Sequence, residues 1–273
     1  MESILSKEIR SLKKKTWIPV TEDGDGKIFE SKFSGIPLLT EDESWPHCKY
    51  CGKPMKFFVQ INLTTIPEEL KVEWNMREGI LQMFYCTEEE ASGNENKNGE
   101  NMLIRILDNS GKPSADIKVP EGLTLFPPKK ITGWEESFDY PIFNELEYLG
   151  VKPRIDTDAD ITMEMLEECG FDDYDPEDIK EGTLDEGEHY DIVWEVLNEI
   201  LKRPLSGDKL GGWPLWVQEV NYPTCPVCGN KMRFLLQIDS NKTLPYVFGD
   251  YGCGHITQCS EHNSVLAFTW EGC

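Results

Sequence analysis

Two stretches of the chain carry the same pattern of glycine, proline and cysteine at a constant offset of 177 residues. Residues 34–61 read SGIPLLTEDESWPHCKYCGKPMKFFVQI, and residues 211–238 read GGWPLWVQEVNYPTCPVCGNKMRFLLQI. The two align without a gap, and each holds a Gly-x-Pro turn, a C-x-x-C knuckle and an apolar run that ends in Gln-Ile. Chance does not keep these residue types in register over such a window. We therefore expect a tandem duplication, whose chemistry is to be sought in what the two copies share.

Short apolar runs separated by turns with glycine and proline predict a β-rich α+β protein. We divide the chain into a first copy of the repeat (residues 1–110), a helical, acidic middle segment (111–204) and a second copy (205–273). Because one internal symmetry relates the copies, we expect two packed, pseudo-symmetric halves. The predicted elements are a short helix within 2–14, strands at Thr16–Val20, Lys56–Asn62, Gly79–Cys86, Met102–Leu107, Met232–Asp239, Leu244–Phe248, Cys253–Cys259 and Val265–Trp270, and helices at Thr162–Cys169 and Glu188–Lys202.

The chain is strongly acidic, with 27 Lys and Arg against 50 Asp and Glu and a net charge of −23. Between Asp156 and Asp191, sixteen acidic residues accompany a single lysine, Lys180. This charge argues against nucleic acid as a partner, because phosphates require a Lys- and Arg-rich surface. It favours encounter with a basic protein partner, although acidity also serves solubility alone.

The sequence indicates a cytoplasmic protein with no membrane partner. No apolar run approaches the ~18 residues that a bilayer-spanning helix needs. The first residues, MESILSKEIRSLKKKTW, carry charges where an export signal requires an apolar block. Nine cysteines in such a chain are reduced thiols or metal ligands, not disulfides.

The second copy contains a candidate structural zinc site. Cys225 and Cys228 form a knuckle followed by glycine, and Cys259 and His262 follow about thirty residues later as C-x-x-H. A structural zinc ion takes four ligands in a tetrahedron, and two such pairs separated by strands supply them. The alternative is two reduced cysteine pairs buried as small apolar side chains. Alternatives for one of the four ligands are the nearby residues Cys253, His255 and Cys273.

The first copy offers a less complete ligand set. Cys48 and Cys51 form the knuckle, and Cys86 and Glu89 stand where the second copy has its C-x-x-H pair. A carboxylate closes only a minority of structural zinc sites. His47 is an alternative fourth ligand, and a degenerate copy that keeps its fold without an ion is the competing interpretation. Three thiolates and one further ligand leave no vacant position, so we expect any zinc here to be structural and not catalytic.

The motifs KLGGWPLWVQ, CPVCGNKMRFLLQIDS and VFGDYGCGHITQCSEHNSVLAFTW resemble the YwqG-like family of bacterial proteins of unknown function. The resemblance covers the second copy well and the first more weakly, and it leaves the acidic middle unmatched. The order of motifs is also similar to the eukaryotic programmed-cell-death-protein-two family. The first resemblance implies toxin immunity, and the second implies escort of a newly made basic ribosomal protein. Neither role is catalytic.

Our leading hypothesis is a non-catalytic, zinc-stabilised binding protein that holds a basic protein partner. The alternative is an enzyme with a cleft between the two repeat halves, in which Asp250 or His255 would act as acid–base group. That alternative requires a polar pocket lined by both halves.

Overall fold

The computed structural model describes residues 7–89, 99–108, 111–151 and 205–272, together with Glu167, Asp175 and Pro176. Ten strands and three short helices follow one another along these ranges. Their bounds are α1 (Lys7–Ser11), β1 (Lys14–Asp23), β2 (Lys32–Phe33), β3 (Lys56–Asn62), α2 (Glu68–Glu73), β4 (Ile80–Tyr85), β5 (Met102–Leu107), β6 (Lys129–Asp139), α3 (Phe143–Tyr148), β7 (Lys209–Gly211), β8 (Arg233–Asp239), β9 (Cys253–Gln258) and β10 (Leu266–Glu271).

All ten strands form one sheet in the order β10-β9-β8-β7-β1-β6-β2-β3-β4-β5. The pairings from β2 to β5 and from β7 to β10 are antiparallel. The two outermost strands, β10 and β5, lie against each other, so the sheet is nearly closed. The Trp270 indole N–H, in β10, donates to the hydroxyl of Tyr85, in β4, at 2.9 Å. The β-rich class predicted from the sequence is confirmed.

Several predicted elements agree with the structure, and others do not. The predicted bounds of β3 and β5 match, whereas no strand forms at Leu244–Phe248. There Pro245 lacks an N–H donor, and the chain folds back so that the Asn241 and Tyr246 amides bond within the loop. Strand β6 was not predicted and occupies part of the middle segment that we expected to be helical. The helices predicted at Thr162–Cys169 and Glu188–Lys202 lie outside the described ranges.

The chain groups into two compact units. One comprises Met1–Thr16, Ser137–Ser206 and Gly212–Val220, and the other comprises Trp17–Glu136, Gly207–Gly211 and Asn221–Cys273. Within the first, the Trp216 indole N–H donates to the Glu145 carboxylate at 2.5 Å. Among the described residues, no helix combines the length and apolar character needed to cross a bilayer.

Aromatic side chains fill the core of the second unit. Tyr85, Phe248 and Phe268 pack with ring centroids 5.7–6.2 Å apart, and Phe58 stands edge-on to Tyr85 at 5.7 Å. Such pairs contribute about 0.5–1.5 kcal/mol each beyond the burial of their area. Phe58 and Tyr85 lie in the first copy of the repeat and Phe248 and Phe268 in the second, so one apolar core stabilises both.

The Gly-x-Pro turns of the two copies are each held by an aspartate. The Asp25 carboxylate accepts the Ile36 N–H at 3.0 Å, and a Cβ added to Gly35 would lie 2.1 Å from the same carboxylate. In the first unit, the Asp139 carboxylate accepts the Trp213 N–H at 3.2 Å, and a Cβ at position 212 would lie 2.3 Å from it. Both glycines have positive φ, 83° and 75°. Close approach and backbone conformation together explain why glycine stands at each position.

Buried amide side chains satisfy backbone groups inside the sheet. Gln60 accepts the Leu38 N–H at 2.9 Å and donates to the carbonyls of Ile28 and Glu30 at 2.8 and 3.0 Å. The Gln82 amide donates to Gln60 and to the Leu38 carbonyl, both at 2.8 Å. A network with all its members paired stabilises one specific arrangement of the core, because each buried polar group left unpaired costs about 1–3 kcal/mol.

Asp208, immediately before β7, is a buried carboxylate whose ionisation opposes folding. It accepts the Asp239 and Thr243 N–H groups at 2.8 and 3.2 Å. Burial nevertheless raises the pKa of Asp208 from 3.8 to about 6. The folded state therefore binds this proton more tightly than the unfolded state does. The resulting stabilisation is complete below about pH 4 and is lost as the pH rises through 6.

Replacing Asp208 by Asn should remove this pH dependence. Between pH 4 and pH 7, we expect the free energy of unfolding of the unmodified protein to fall by about 2 kcal/mol relative to Asp208→Asn. Urea denaturation at a series of pH values measures the difference. Asp116→Asn, at an exposed position, is the matched control and should show no such trend. An Asp208→Asn difference that does not change with pH would contradict the prediction.

Candidate metal centre

Four soft donors converge in the second copy of the repeat. The Cys225, Cys228 and Cys259 thiols and the His262 imidazole all lie within 4.8 Å of one another. The Cys228 and Cys259 sulfurs are 3.6 Å apart, and His262 Nδ1 lies 3.8 Å from the Cys225 sulfur and 3.5 Å from the Cys259 sulfur. This group, called the second cluster below, contains all four ligands predicted for the second copy.

These separations fit a tetrahedral zinc ion. With Zn–S bonds of about 2.3 Å and a Zn–N bond of about 2.0–2.1 Å, tetrahedral geometry places two sulfurs about 3.8 Å apart and a sulfur and a nitrogen about 3.6 Å apart. The observed 3.5–3.8 Å agrees with this geometry. The residues present therefore suit such an ion.

The antiparallel pairing of β8 with β9 brings the ligands together. Arg233, at the start of β8, is opposite Gln258, at the end of β9. The knuckle that precedes β8 and the C-x-x-H pair that follows β9 consequently lie at the same end of the hairpin. The knuckle itself is closed by the Cys225 N–H bonded to Asn230 O and by the Gly229 N–H bonded to Cys225 O, both at 2.8 Å.

Backbone N–H groups of the knuckle stabilise the thiolate form of Cys225. The Val227 N–H points at the Cys225 sulfur at 3.4 Å. Burial raises the pKa of the Cys225 thiol, but hydrogen bonds from the Cys228 and Val227 amides outweigh it and hold the pKa at about 6. The lowered pKa favours the thiolate form of Cys225, which is the form that binds a metal ion.

Three thiols converge in the first copy. Cys48, Cys51 and Cys86 form a group within 4.8 Å, called the first cluster below. The Cys51 and Cys86 sulfurs are 3.6 Å apart, and the Cys51 N–H points at the Cys48 sulfur at 3.5 Å. Burial raises the pKa of Cys86 to about 12. For Cys51, burial acts in the same direction but is outweighed by the Lys53 backbone hydrogen bond and by the neighbouring thiols, so its pKa is lowered.

Glu89, predicted as the fourth ligand of the first copy, is not part of this cluster. It is exposed in the turn after Cys86. Its neighbour Glu88 is paired with Lys53. The His47 ring, the alternative, lies with Nδ1 2.7 Å from the Trp45 carbonyl and is likewise outside the cluster.

The alternative ligands suggested for the second copy do not join the second cluster. The Cys253 thiol donates to the Asp239 carboxylate at 3.2 Å, and burial raises its pKa. His255 is buried in β9 with its ring 5.9 Å from the Phe234 ring. Neither belongs to the second cluster. Cys273 lies outside the described ranges.

A cleft of about 830 Å³ opens where β5 approaches the loop before β10. Sequence patterns did not reveal it, because its walls come from segments distant in the chain that share no motif. Asp250 and His255, the predicted acid–base candidates, are not among its lining residues. The lining comprises Asn75, Met76, Arg77, Glu78, Gly79, Ile104, Arg105, Ile106, Asp108, Asn263 and Ser264.

Comparison with known proteins identifies the family of the chain. It belongs to the family described as "Domain of unknown function (DUF1963)", which matches residues 31–263. Over 35 residues it is 51% identical to the uncharacterized protein YpfL of Salmonella typhimurium (strain LT2). That match covers 13% of this chain and 8% of the length of YpfL. These relationships place the chain among proteins whose function is not defined.

Cys259→Ser should weaken Zn²⁺ binding at the second cluster and make folding less dependent on zinc. An ion that binds only the folded state stabilises it by about 2.7 kcal/mol at a free concentration of 100 Kd. We therefore expect a chelator to lower the Tm of the unmodified protein more than that of Cys259→Ser. Metal analysis should show less zinc in the variant.

Cys253→Ser provides the matched control. Cys253 is as buried as Cys259 but is not part of either cluster. We expect this variant to keep the zinc content of the unmodified protein and its full response to chelator. Equal zinc loss in both variants would show that general destabilisation, and not ligand removal, was responsible.

Proposed function

We propose that the protein is a non-catalytic, zinc-stabilised binding protein of the cytoplasm whose partner is a basic protein. One observation carries the first half of this proposal: the second cluster has four soft donors at tetrahedral separations. Cys225 and Cys259 are each about 1% exposed or less. Four protein ligands leave no vacant position for water or substrate, which is the arrangement of structural zinc sites.

The two copies are further proposed to derive from one ancestral module. Lys32 is opposite Gln60 in the β2–β3 pairing, and Lys209 is opposite Gln237 in the β7–β8 pairing. The partner strands of both copies carry an irregularity at the corresponding place, between Phe57 and Val59 and between Phe234 and Leu236. All these positions differ by the same 177 residues as the sequence repeat. Independent origins would not reproduce register and irregularity together.

Charge supports a basic partner. The chain carries a net charge of −23, and several basic side chains among the described residues are paired with acidic ones. A negative surface speeds encounter with a basic protein and discriminates against acidic ones. The ion pairs that neutralise basic groups include Lys53–Glu88, Arg77–Glu68, Arg105–Glu43, Lys129–Asp23 and Lys130–Glu22.

The resemblance to YwqG-like proteins supports the same class of function. Their proposed role in toxin immunity, and the escort role of the programmed-cell-death-protein-two family, are both protein-binding roles. We propose that this chain is a YwqG-like member of the DUF1963 family. The partner is then recognised through its positive charge and its complementary surface.

Affinity capture at two salt concentrations tests the basic-partner proposal. Immobilised protein is exposed to lysate of the source cell, captured proteins are identified by mass spectrometry, and the main one is purified. We expect a single basic protein whose association rate constant falls roughly tenfold or more between low and high salt. Replacing Asp156, Asp158 and Asp160 together by Asn should lower that rate at low salt.

Other outcomes of the same experiment would count against the proposal. Capture of no basic protein, or binding of a basic protein that is indifferent to salt, would remove the charge argument. Binding unchanged in the triple Asn variant would remove the acidic middle segment from the interface, and would leave the remaining acidic surface as the source of attraction.

A second candidate function is an enzyme with a cleft between the repeat halves. The 830 Å³ cleft favours it, because Gly79 and Arg105 belong to the first copy and Asn263 and Ser264 to the second. Clefts of this volume accommodate small molecules. One observation counts against an enzyme. Arg105, in the wall of the cleft, is paired with Glu43 and hydrogen-bonded to Gln82, so its charge is already engaged within the protein.

Thermal-shift screening of small molecules distinguishes the two candidates. Ser264→Trp would narrow the cleft, and Ser264→Ala is the matched control. A compound that raises the Tm of the unmodified protein and of Ser264→Ala, but not of Ser264→Trp, would support a ligand site in the cleft. Equal shifts in all three proteins would place the compound elsewhere and count against the enzyme.

A further inference from the structure

The 830 Å³ cleft lies beside one edge of the sheet. Strand β5 is the last in the strand order, and among the described strands it is paired on one side only, with β4. We propose that an extended segment of the basic partner enters this cleft and adds a strand to the outer edge of β5. This inference rests on the proposed function and names the way in which the partner is held.

The lining of the cleft shows that it runs along the edge of β5 and not over one face. Ile104, Arg105 and Ile106 are consecutive, and all three belong to the lining. In a strand, successive side chains point to opposite faces of the sheet, so a groove over one face would touch only alternate residues. Between Ile104 and Asp108 an extended chain rises about 14 Å, which is the length of an added strand of about five residues.

Hydrogen bonding in the β4–β5 ladder fixes the direction of the backbone groups of β5. The Cys86 N–H donates to Asn101 O at 2.9 Å, so these residues form a bonded pair in register with the ladder. Bonded and non-bonded pairs alternate along an antiparallel ladder. Leu103 and Arg105 therefore direct their N–H and C=O groups at β4, and the residues between and after them direct theirs to the opposite side.

Ile104 and Ile106 carry these outward-pointing backbone groups, and both line the cleft. Each offers one donor and one acceptor to an incoming chain. A row of donors and acceptors with the spacing of a strand is matched residue for residue by an extended peptide, which is the basis of β-strand addition. The edge therefore selects an extended peptide as the occupant.

The opposite wall of the cleft is fixed in place, so the gap beside β5 is preformed. Asn263 and Ser264, in the loop before β10, form part of this wall. The Asn263 side-chain amide donates to Asn75 O at 3.3 Å, and the Gln258 side-chain amide donates to Asn263 O at 2.7 Å. A preformed gap lowers the cost of ordering when a peptide binds.

Charge favours a basic segment over the acidic middle segment of this chain. Arg105 is paired with Glu43, and Arg77 is paired with Glu68, so both guanidinium groups of the lining have a carboxylate partner. The acidic residues of the lining itself are Glu78 and Asp108, both exposed. An acidic segment would add negative charge to this wall, whereas lysine or arginine side chains would complement it.

Apolar contacts set the pattern that the added strand should carry. Ile104 and Ile106 pack against the buried core of the second unit, to which Met76 also belongs. Because side chains alternate between the two faces, every second residue of an added strand would lie on the same face as these apolar groups. We therefore expect a segment in which apolar residues alternate with lysine or arginine.

A peptide of this pattern, acetyl-KVKVKVK-amide, tests the proposal by titration calorimetry. We expect it to bind the full chain at low salt, and we expect the acidic counterpart acetyl-EVEVEVE-amide not to bind. A Kd above about 1 mM for the lysine peptide would overturn the proposal. Equal affinities of the two peptides would overturn it as well.

Methylation of peptide nitrogens tests whether the backbone pairs with the edge. One version of the lysine peptide is N-methylated at its valines, and the other at its lysines, so that charge and side chains are kept. Because an added strand directs only alternate N–H groups at its neighbour, we expect one version to lose binding and the other to keep it. Equal affinities of the two methylated peptides would overturn the proposal.

Amide hydrogen exchange measured by NMR locates the peptide on the strand. We expect the lysine peptide to slow exchange at Ile104 and Ile106 by about tenfold or more. The amides of Leu103 and Arg105 already bond to β4 and are the internal controls, which should not change. If the Ile104 and Ile106 amides are already protected in the free protein, another part of this chain or a second copy covers the edge, and the proposal is overturned.

A charge substitution separates the cleft from the general acidity of the chain. Glu78→Lys, in the lining, should weaken binding of the lysine peptide by about threefold or more. Glu121→Lys is the matched control, since it makes the same change of charge at an exposed position outside the lining, and it should have a smaller effect. Equal effects of the two substitutions would overturn the assignment to the cleft.

The captured partner separates this inference from the proposed function. A basic protein that binds the chain without slowing exchange at Ile104 and Ile106 would overturn strand addition and leave the proposed function intact. Capture of no basic protein would overturn the proposed function, and the peptide measurements would then decide the binding mode alone.

Discussion

The antiparallel pairing of β8 with β9 is the constraint on which the candidate metal centre depends. It brings Cys225 and Cys228 to the same end of the hairpin as Cys259 and His262, although the two pairs lie far apart in sequence. Thiolates 3.6 Å apart would repel one another, so the cluster would favour an ion that neutralises them. Binding of such an ion would be coupled to closure of the hairpin, because an unfolded chain does not preform a metal site.

The residues that the two copies share serve mainly to hold the fold. Gly35 and Gly212 admit the carboxylates of Asp25 and Asp139, and Gln60 satisfies backbone groups inside the sheet. Repeated motifs of this kind preserve structure in both copies without specifying an activity. Features that distinguish the copies are therefore better guides to function. They are the Glu89 that stands at the sequence position corresponding to His262, and the acidic middle segment that interrupts the repeat.

The sequence allowed the hairpins and the clustering of cysteines to be predicted, because local patterns carry that information. The C-x-x-C knuckles and alternating apolar runs depend on neighbours within a few residues, and β3 was predicted with its observed bounds. Strand β6 was missed because its sequence, KKITGWEESFD, is too polar to show a buried face. It owes its conformation to pairing with β1 on one side and β2 on the other, which no local pattern reveals. The 830 Å³ cleft was not predicted for the same reason, because its walls come from segments that are distant in sequence and meet only in the folded protein.

The two clusters differ in the apolar side chains that surround them. Around the first, Trp45, Met55, Phe57 and Phe84 are nearly or completely buried. Burial of such side chains contributes about 1.5–3 kcal/mol each, so packing alone supports much of this end of the hairpin. Around the second, Met232 is the corresponding buried apolar residue in the described cluster, which leaves far less packing to hold the knuckle. An ion at the second cluster would therefore add more to the stability of its hairpin than an ion at the first cluster would.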